Sequence, residues 1–275
     1  MREPPPRPRP TRIVALPSSL FAADPPIVRA IKTGWVARAL TVFRVEEVII
    51  YLDRGDRKGA TYLRDLLEYA DTPQYLRKRL IPKKASLKYA GVLPPLRAPH
   101  HPTLNGRCFA QHYREGVVVK RLGDRVWVDV GLKEPVVVRT SAKLGQRVTV
   151  QMAEKPRVVP RSEVPYYWGY SVSIAESLRE AVETSDADVR IATSRLGQDI
   201  RALLRPLKES LKASRRLLVA FGAHDRGLWE IAREEDASLD ELFDYVINFI
   251  PHQGSFTVRS EEALWATLSI LNTIA

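Results

Sequence analysis

Two stretches decide the fold: RLLVAFGAHDRG over Arg216–Gly227 and DYVINFIPHQGS over Asp244–Ser255. Each is typical of a buried strand that ends in a glycine-marked loop. The segment VRIATSRLG over Val189–Gly197 repeats the pattern upstream. Ligands of open α/β sheets lie outside the carboxyl ends of the strands, where glycine lets backbone amides come close. The three strand ends therefore predict one shared binding pocket.

The N-terminal part of the chain alternates strand and helix patterns. Arg12–Leu16 is a short apolar strand, and Pro26–Phe43 has apolar residues at helical spacing. Glu47–Leu52 is a second buried-type strand, and Thr61–Tyr69 is a second helix. This β-α-β-α order favours a parallel sheet with helices on its faces, so the fold class is α/β.

The pattern changes after Pro94, where prolines interrupt regular structure. Short segments of alternating apolar and polar residues follow, separated by glycine turns. They are Glu115–Lys120, Arg125–Val130, Pro135–Arg139 and Gln146–Gln151. Four or five short antiparallel strands in this space predict a small OB-like barrel inserted into the α/β domain.

The α/β pattern resumes after Pro165. Tyr167–Val172 is predicted as a short strand and Ile174–Val182 as a helix. Pro206–Ala213 is predicted as the helix between the first two glycine-ended strands. Ser260–Asn272 closes the chain as a helix with Ser260 as its N-cap and acidic residues in its first turn.

Composition bounds the class of protein. The chain has 275 residues, of which 45% are hydrophobic and 27% charged, as in ordinary globular proteins. It contains no apolar run long enough to span a bilayer and no signal peptide, which predicts a protein that is neither secreted nor embedded in a membrane. The single cysteine, Cys108, excludes an intramolecular disulfide and agrees with a cytoplasmic location.

The positive charge is concentrated in the first part of the chain. Residues 1–160 carry 30 Lys and Arg against 14 Asp and Glu, whereas residues 161–275 carry 13 against 18. A field of this kind attracts polyanions, so nucleic acid is the leading partner class, with a solvated arginine-rich surface as the alternative. Residues 1–11 are predicted to form a disordered basic arm. Five cations of the stretch Pro73–Lys84 are predicted RNA contacts, with Tyr75 and Tyr89 available for stacking: Arg77, Lys78, Arg79, Lys83 and Lys84.

Several familiar site motifs are absent from the sequence. There is no P-loop, no G-x-G-x-x-G after a strand and no G-x-S-x-G elbow. His100, His101, Cys108 and His112 are close in sequence, but their spacing matches no common zinc site, and surface or hinge histidines are the simpler interpretation. No metal is predicted.

A set of short motifs resembles one known family, the SPOUT-class (α/β knot) RNA methyltransferases, in the archaeal and eukaryotic lineage with an OB-like insertion. The motifs occur in family order and span nearly the whole chain after Arg12. They are Thr72–Lys78, Lys88–Leu93, Ala98–His101, Arg114–Val119, Tyr167–Tyr170, Ala192–Gly197, Val219–Gly222 and Asn248–Ala263.

The resemblance implies a trefoil-knot domain over residues 12–95 and 161–275, with an OB-like RNA-binding insertion over residues 96–160. It also implies S-adenosylmethionine (SAM) bound in the knot and a homodimer built around it. Backbone groups near Phe249 are then expected to read the adenine edge. The cofactor-binding set that the resemblance implies is Thr193, Ser194, Gly222, Asn248, Ile250, Gln253, Gly254, Ser255 and Thr257.

The implied activity is methyl transfer from SAM to a base or ribose of structured RNA, such as rRNA or tRNA. Arg195 and Arg226 lie on the glycine loops and are the catalytic candidates, able to clamp a phosphate or polarise the target. His224, Asp225 and Glu261 are positional candidates for the general base, and the direction of His252 is open. Two rivals are a non-catalytic RNA-binding or ribosome-assembly factor that keeps the knot as a scaffold, and a DNA-binding protein that uses the barrel.

Overall fold

The computed structural model describes residues 3–101 and 112–275, so Cys108 lies outside the described residues. The chain forms two compact units. The larger unit comprises residues 8–68, 86–94 and 170–275, and the smaller unit comprises residues 1–7, 69–85 and 95–169. The trefoil-knot domain and the OB-like RNA-binding insertion stay predictions.

The strands of the described residues form two separate sheets. In chain order the strands are β1 (Thr11–Pro17), β2 (Glu47–Tyr51), β3 (Tyr113–Leu122), β4 (Arg125–Asp129), β5 (Val136–Arg139), β6 (Arg147–Gln151), β7 (Arg157–Val159), β8 (Ser171–Ala175), β9 (Val189–Asp199), β10 (Arg216–Ala220) and β11 (Tyr245–Asn248).

The helices lie mainly in the larger unit, with α3 in the smaller one. In chain order the α-helices are α1 (Pro26–Val42), α2 (Arg57–Asp71), α3 (Gln74–Leu80), α4 (Leu178–Thr184), α5 (Ile200–Ala213), α6 (Leu228–Glu234), α7 (Leu239–Leu242) and α8 (Ser260–Ile274).

The larger unit is built on a six-stranded sheet in the order β11-β9-β10-β1-β2-β8, in which every neighbouring pair is parallel. A parallel sheet is covered on both faces, so its central strands read as continuous apolar runs. Ile13 and Leu218, on neighbouring strands, are fully buried. They share one apolar cluster with Leu178, Ile231 and Leu239 from α4, α6 and α7. The predicted parallel α/β domain is confirmed.

The smaller unit contains an antiparallel five-stranded sheet in the order β5-β4-β3-β6-β7. Its two edge strands also approach each other, so the sheet curls into a half-barrel. The buried face consists largely of valines, including Val118, Val126 and Val148. The four predicted strands are confirmed, β7 is an additional one, and an OB-like topology stays a prediction.

Residues 5–7 of the predicted basic arm contact residues 162–167 within the smaller unit. Pro6 forms an isolated antiparallel bridge with Tyr166, and the carbonyl of Pro5 accepts a hydrogen bond from the Tyr167 amide at 3.0 Å. Arg7 Nη1 donates to the carbonyl of Ser162 at 2.8 Å. These backbone contacts hold residues 5–7 in place, in a segment for which the sequence predicted disorder.

Two predicted elements after Pro165 are wrong in position. The strand begins at Ser171 rather than Tyr167 and runs through Ala175, which the sequence assigned to a helix. The helix begins at Leu178 because the Ser177 hydroxyl caps it, accepting a hydrogen bond from the Glu180 amide at 3.0 Å. Tertiary pairing with β2 extends the strand over residues that have helical periodicity.

The predicted loop at Ser194–Gly197 lies in a stretch of β9 without partners in the register with β10 or β11, because Val246 pairs with Ala192 and Ile247 with Gln198. β9 itself ends at Asp199. Its last residues pair with β11 across an irregularity in register at Val246. A Cβ atom at Gly197 would lie 2.6 Å from the carbonyl oxygen of Val246, so only glycine allows this close approach. The glycine marks a tight strand contact rather than a turn.

The helices differ from the prediction mainly at their starts. α5 begins at Ile200 with Asp199 as N-cap and contains Pro206 in its interior, although Pro206 was predicted as its first residue. Ser260 is not the N-cap of α8. That position is Arg259, whose amide donates to the Glu262 carboxylate at 2.9 Å. The predicted acidic first turn of α8 is confirmed.

Candidate functional site

The carboxyl ends of β9, β10 and β11 lie side by side because the three strands are parallel neighbours. The segments that leave β10 and β11 therefore start at the same edge of the sheet. This is the edge where open α/β sheets bind ligands. The three strand ends share one edge as predicted, and a shared binding pocket there stays a prediction.

The first of these segments folds back tightly on itself at Gly222. A Cβ atom at this residue would lie 2.9 Å from the carbonyl oxygen of Arg226, and a longer side chain would displace the loop. Thr193 supports the same region from β9, since its hydroxyl donates to the carbonyl of Ala220 at 2.9 Å. Both residues therefore shape the start of the Gly222–Gly227 loop.

Asn248 uses both ends of its amide to organise the edge of the sheet. Its Nδ2 donates to the carbonyl of Arg195 at 3.1 Å, and its Oδ1 accepts from the Ile250 amide at 3.0 Å. Ser194 acts similarly, since its hydroxyl accepts from the Leu196 amide at 3.1 Å. These side chains position the backbone at the end of β9 and after β11.

The segment after β11 is held by its own side chains. Gln253 Nε2 donates to the carbonyls of Ser255 and Phe256 at 3.0 and 3.3 Å. The Ser255 hydroxyl donates to the carbonyl of Thr257 at 2.9 Å. A Cβ atom at Gly254 would meet nothing within 4 Å, so this residue faces open space. The loop is preorganised and has an unobstructed side.

The two predicted catalytic arginines lie in different surroundings. Arg195 is exposed, and its Nη1 donates to the carbonyl of Phe256 at 3.4 Å. Arg226 is largely buried and forms short ion pairs with Asp53 and Glu234, which hold its pKa above the ordinary value against the effect of burial. The charge of Arg226 is therefore compensated within the protein, whereas the Arg195 guanidinium faces solvent.

A buried carboxylate that sequence reasoning missed anchors the Gly222–Gly227 loop. Asp53 is only 2% exposed and accepts hydrogen bonds from Arg226 and from the Ser19 hydroxyl. Its own amide donates to the Ser18 hydroxyl at 2.9 Å. One signal for it is present in the sequence, because Asp53 directly follows the buried residues of the second strand, at the carboxyl edge of the sheet.

Tyr51 ties the same edge together from β2. Its hydroxyl donates to the carbonyl of Phe221 at 2.7 Å. Burial, together with the nearby Asp53 carboxylate, raises the pKa of Tyr51 well above its usual range. The phenol therefore stays protonated and fixes the end of β10.

The three positional candidates for a general base, His224, Asp225 and Glu261, differ in exposure and in their charged partners. His224 Nδ1 lies 3.7 Å from an oxygen of Asp225, and both side chains are partly exposed. Glu261 is 14% exposed and lies 3.6 Å from Lys32, which leaves it paired at the start of α8. His224 and Asp225 lie on the Gly222–Gly227 loop, so this pair has the better position.

His252 contacts Arg201 at a distance of 3.1 Å between Nε2 and Nη2. A guanidinium can only donate, so the Nε2 atom of His252 accepts and its proton lies on Nδ1. Arg201 is also paired with Asp199, and these hydrogen bonds lower the pKa of Asp199 to about 2. His252 therefore contacts an ion pair of the protein.

A cavity of about 340 Å³ lies next to the last residues of β9. Residues 196–198, Trp229, Asp240 and residues 243–246 line it. None of the nine predicted cofactor residues contributes to this lining.

The predicted RNA-binding cations belong to the smaller unit, and two of them are arginines with defined contacts there. Arg77 donates to the carbonyl of Thr72 at 3.0 Å and lies over the Tyr69 ring, 4.3 Å from its centroid. Arg79 pairs with Asp129 at 2.7 Å. The remaining three are exposed: Lys78, Lys83 and Lys84.

Of the two tyrosines predicted to stack on bases, Tyr75 is used internally. Its hydroxyl donates to the carbonyl of Glu115 at 2.7 Å, and its ring lies so close to Gly131 that a Cβ atom there would be 2.5 Å away. Tyr89 lies in the larger unit with the Lys88 amine 5.3 Å from its ring centroid. Stacking of a base on Tyr75 is incompatible with these contacts.

A cluster of buried charges lies inside the smaller unit. Asp71 and Glu115 are at most 2% exposed, and Arg147 bridges them at 3.0 and 2.6 Å. Arg161 approaches both carboxylates, at 3.4 and 3.8 Å. Although burial acts in the opposite direction, the two arginines and His100 lower the pKa of Glu115 to about 2 and that of Asp71 well below its usual range.

His100 is buried in this interior and His101 is partly buried beside it, so the prediction of a surface histidine is wrong for His100. Their Nε2 atoms lie 2.8 and 2.9 Å from the carbonyl oxygen of Asp71. Burial, followed by the nearby His100, lowers the pKa of His101 to about 3. Within residues 3–101 and 112–275, no group of three or more His, Cys, Asp or Glu side chains could hold a metal ion.

No helix in the described part of the chain is long and apolar enough to cross a membrane.

Comparison with known proteins assigns the chain to a family. Residues 11–271 match the family described as "Putative RNA methyltransferase". The mouse and human proteins named 28S rRNA (uridine-N(3))-methyltransferase are 34% and 33% identical over 95% of this chain, and the alignments cover 76% and 77% of those proteins. An uncharacterized protein of Halobacterium salinarum is 36% identical over 95% of this chain and 98% of its own length. The chain belongs to this family of RNA methyltransferases and is itself a methyltransferase.

Proposed function

We propose that this protein transfers a methyl group from SAM to N3 of a uridine in ribosomal RNA. The single observation that carries the proposal is the convergence of three parallel strand ends, with their positioned loops, in a chain that resembles relatives named for this reaction. The proposal includes the SPOUT trefoil knot in the larger unit and a cytoplasmic location.

The residues at the sheet edge suit SAM as the methyl donor. The cofactor-binding set consists of glycines, hydroxyls, neutral amides and backbone groups, which are suitable partners for an adenine edge and a ribose. Gly222 leaves no room for a side chain, and Gly254 faces open space. When bound, SAM supplies a methyl group that is already activated by its sulfonium. The protein then has to orient the reactants and manage one proton.

Arg195 is the better of the two candidate catalytic arginines. Removing the N3 proton of uridine places negative charge on the carbonyl oxygens of the base, and an exposed guanidinium can stabilise that charge. Arg226 instead neutralises Asp53 and Glu234 and holds the loop that carries His224 and Asp225. We assign Arg226 to positioning and leave His224 and Asp225 as the two candidates for accepting the proton.

The smaller unit is proposed to bind RNA through its exposed lysines. Lys78, Lys83 and Lys84 supply phosphate contacts that do not depend on sequence. A homodimer through the knot is also proposed. It is supported by an exposed apolar stripe at helical spacing on α1, where each side chain is between 40 and 59% exposed: Ile27, Ile31, Trp35 and Val42.

Methyl transfer tests the proposal directly. Purified protein, SAM with a labelled methyl group and unmodified ribosomal RNA should yield 3-methyluridine, identified by mass spectrometry of the digested RNA. The substitution Arg195→Ala should lower kcat by about a hundredfold, as loss of a charge-stabilising donor does, and leave SAM affinity unchanged.

The matched control is Arg205→Ala, because Arg205 is a 92% exposed arginine on α5 of the same unit. It should leave kcat unchanged. Labelling at another atom or another base would replace the uridine-N3 assignment. RNA binding without any methyl transfer would favour the rival function of an RNA-binding or ribosome-assembly factor.

A further inference from the structure

Phe256 is the most exposed large apolar side chain in residues 3–101 and 112–275, with 89% of its surface accessible. Leaving such a side chain in water is unfavourable relative to burying it. Single exposed apolar residues are common, so exposure alone assigns no role. The surroundings of this ring distinguish it.

Hydrogen bonds hold the backbone at Phe256, so the ring projects from a defined position. The carbonyl of Phe256 accepts hydrogen bonds from Gln253 Nε2 at 3.3 Å and from Arg195 Nη1 at 3.4 Å. The neighbouring residues are tied as well, since Ser255 bonds the carbonyl of Thr257 at 2.9 Å. Two different elements, β9 and the segment after β11, therefore hold the residue that exposes the ring.

A cation and a second apolar side chain accompany the ring. The Arg195 guanidinium carbon lies 6.0 Å from the Phe256 ring centroid, at the limit of a cation–π contact. Leu196, the next residue of β9, is 75% exposed. An exposed aromatic ring beside an arginine is the combination that binds unpaired bases, because every base has a face that stacks and every nucleotide has a phosphate.

The proposed reaction requires an unpaired base. N3 of uridine lies on the edge that pairs with adenine, so the target base must leave any duplex before N3 can react. A base taken out of a stack loses its neighbours, and an aromatic side chain can replace them. The Phe256 ring lies on the loop that contains Gln253, Gly254, Ser255 and Thr257 of the cofactor-binding set, where such a base has to arrive.

We propose that the Phe256 ring, with the Arg195 guanidinium beside it, is a stacking platform for an unpaired base of the RNA substrate. This inference rests on the proposed function for the position of the base, but binding to the platform requires no methyl transfer. Phe256 is a positioning residue for the substrate, and Arg195 contributes charge at the same place.

The test uses the full chain and a fluorescein-labelled single-stranded oligouridine of about ten nucleotides, with affinity read by fluorescence anisotropy at several salt concentrations. Phe256→Ala should weaken binding about five- to a hundredfold, the range for loss of one stacking partner. It should leave the salt dependence unchanged, whereas Arg195→Ala should reduce that dependence. Phe256→Trp should bind within about twofold of the unsubstituted protein, since the ring is kept.

Leu204→Ala is the matched control, because Leu204 is a 41% exposed apolar residue on α5 of the same unit. This substitution should leave the oligouridine affinity and its salt dependence unchanged. Equal oligouridine affinity of Phe256→Ala and the unsubstituted protein would overturn the inference. So would a loss of affinity that accompanies dissociation of a dimer in sedimentation, because Phe256 would then contact a second copy of the chain.

The outcomes separate this inference from the proposed function. If the unsubstituted protein methylates no RNA but loses oligouridine binding on Phe256→Ala, the platform stands and the proposed reaction fails. If the protein methylates uridine and Phe256→Ala changes neither oligouridine affinity nor KM for RNA, the reaction stands and the platform fails.

Discussion

The charged groups at the sheet edge of the larger unit and those inside the smaller unit are placed in opposite ways. In the larger unit, Arg195 and the loops at the sheet edge are accessible, and Asp53 is a buried carboxylate held by Arg226 beneath that edge. In the smaller unit, Asp71 and Glu115 are both enclosed in the interior. The first arrangement leaves polar groups available to a ligand. In the second arrangement the polar groups bond one another inside the unit, so they join segments of the chain instead of binding a ligand.

The buried cluster of the smaller unit connects parts that are distant in sequence. Arg147 on β6 bonds Asp71 at the end of α2 and Glu115 on β3. Arg161 adds a bond to the carbonyl of Trp168 at 2.7 Å. Burying charges is costly, and pairing offsets that cost only while every partner is present. The cluster should therefore be sensitive to the loss of any one member.

The largest expected effect is on the stability of the smaller unit after Arg147→Met. The substitution removes the guanidinium that bridges the two buried carboxylates. Breaking a buried pair in this way costs about 3 to 5 kcal/mol. Hydrogen exchange should show faster exchange at the amides of β3 and β6, with the amides of β1 and β10 unchanged.

Arg139→Met is the control, since Arg139 and Asp124 form an ion pair in which both side chains are more than 70% exposed. Its removal should cost at most about 1 kcal/mol. Equal effects of the two substitutions would show that the buried cluster contributes no more to stability than a surface pair, and the contrast between the units would fail.

Protonation of Glu115 alone should weaken the smaller unit somewhat less than that substitution does. The pKa of Glu115 is about 2 in the folded state and 4.5 ordinarily, so its contribution is present above pH 4.5 and is lost as the pH falls towards 2. The lowered pKa of His101, about 3 against 6.5, acts in the same direction between those values. Glu115 alone corresponds to a loss on the order of 3 kcal/mol.

Hydrogen exchange at about pH 7, 4 and 2.5, corrected for the intrinsic exchange rate, measures this loss in each unit. Protection at β3 and β6 should fall more steeply with acid than protection at β1 and β10. Glu115→Gln should flatten the dependence of the smaller unit, because the amide has no proton to gain. An unchanged acid dependence in this variant would assign the effect to other groups.

Much of the fold could be predicted because its strands are apolar runs bounded by glycine and proline. The parallel order followed from the alternation of strands and helices, and parallel neighbours necessarily bring their carboxyl ends to one edge. The errors arose where pairing overrides local pattern. Gly197 lies so close to the Val246 carbonyl that no side chain fits there. Pairing with β2 extends β8 as far as Ala175.

The candidate site could be predicted in place but not in detail. The family resemblance implied Thr193 and Asn248 as cofactor residues, and in the structure their hydrogen bonds go to backbone groups of neighbouring segments. The pairing of Asp53 with Arg226 joins residues 173 positions apart, which no local spacing indicates. The Asp71–Glu115 cluster is likewise invisible in the sequence, since single charged residues there look like surface residues.

Calorimetry with SAM tests the central claim, that the sheet edge of the larger unit binds the methyl donor. The unsubstituted protein should bind SAM, and Gly222→Arg should weaken binding at least about a hundredfold, because a Cβ atom at Gly222 already lies 2.9 Å from the Arg226 carbonyl. Gly91→Arg should bind normally, since a Cβ atom there meets nothing within 4 Å. Equal affinity of Gly222→Arg and the unsubstituted protein, or no binding to the unsubstituted protein at about millimolar SAM, would contradict the account.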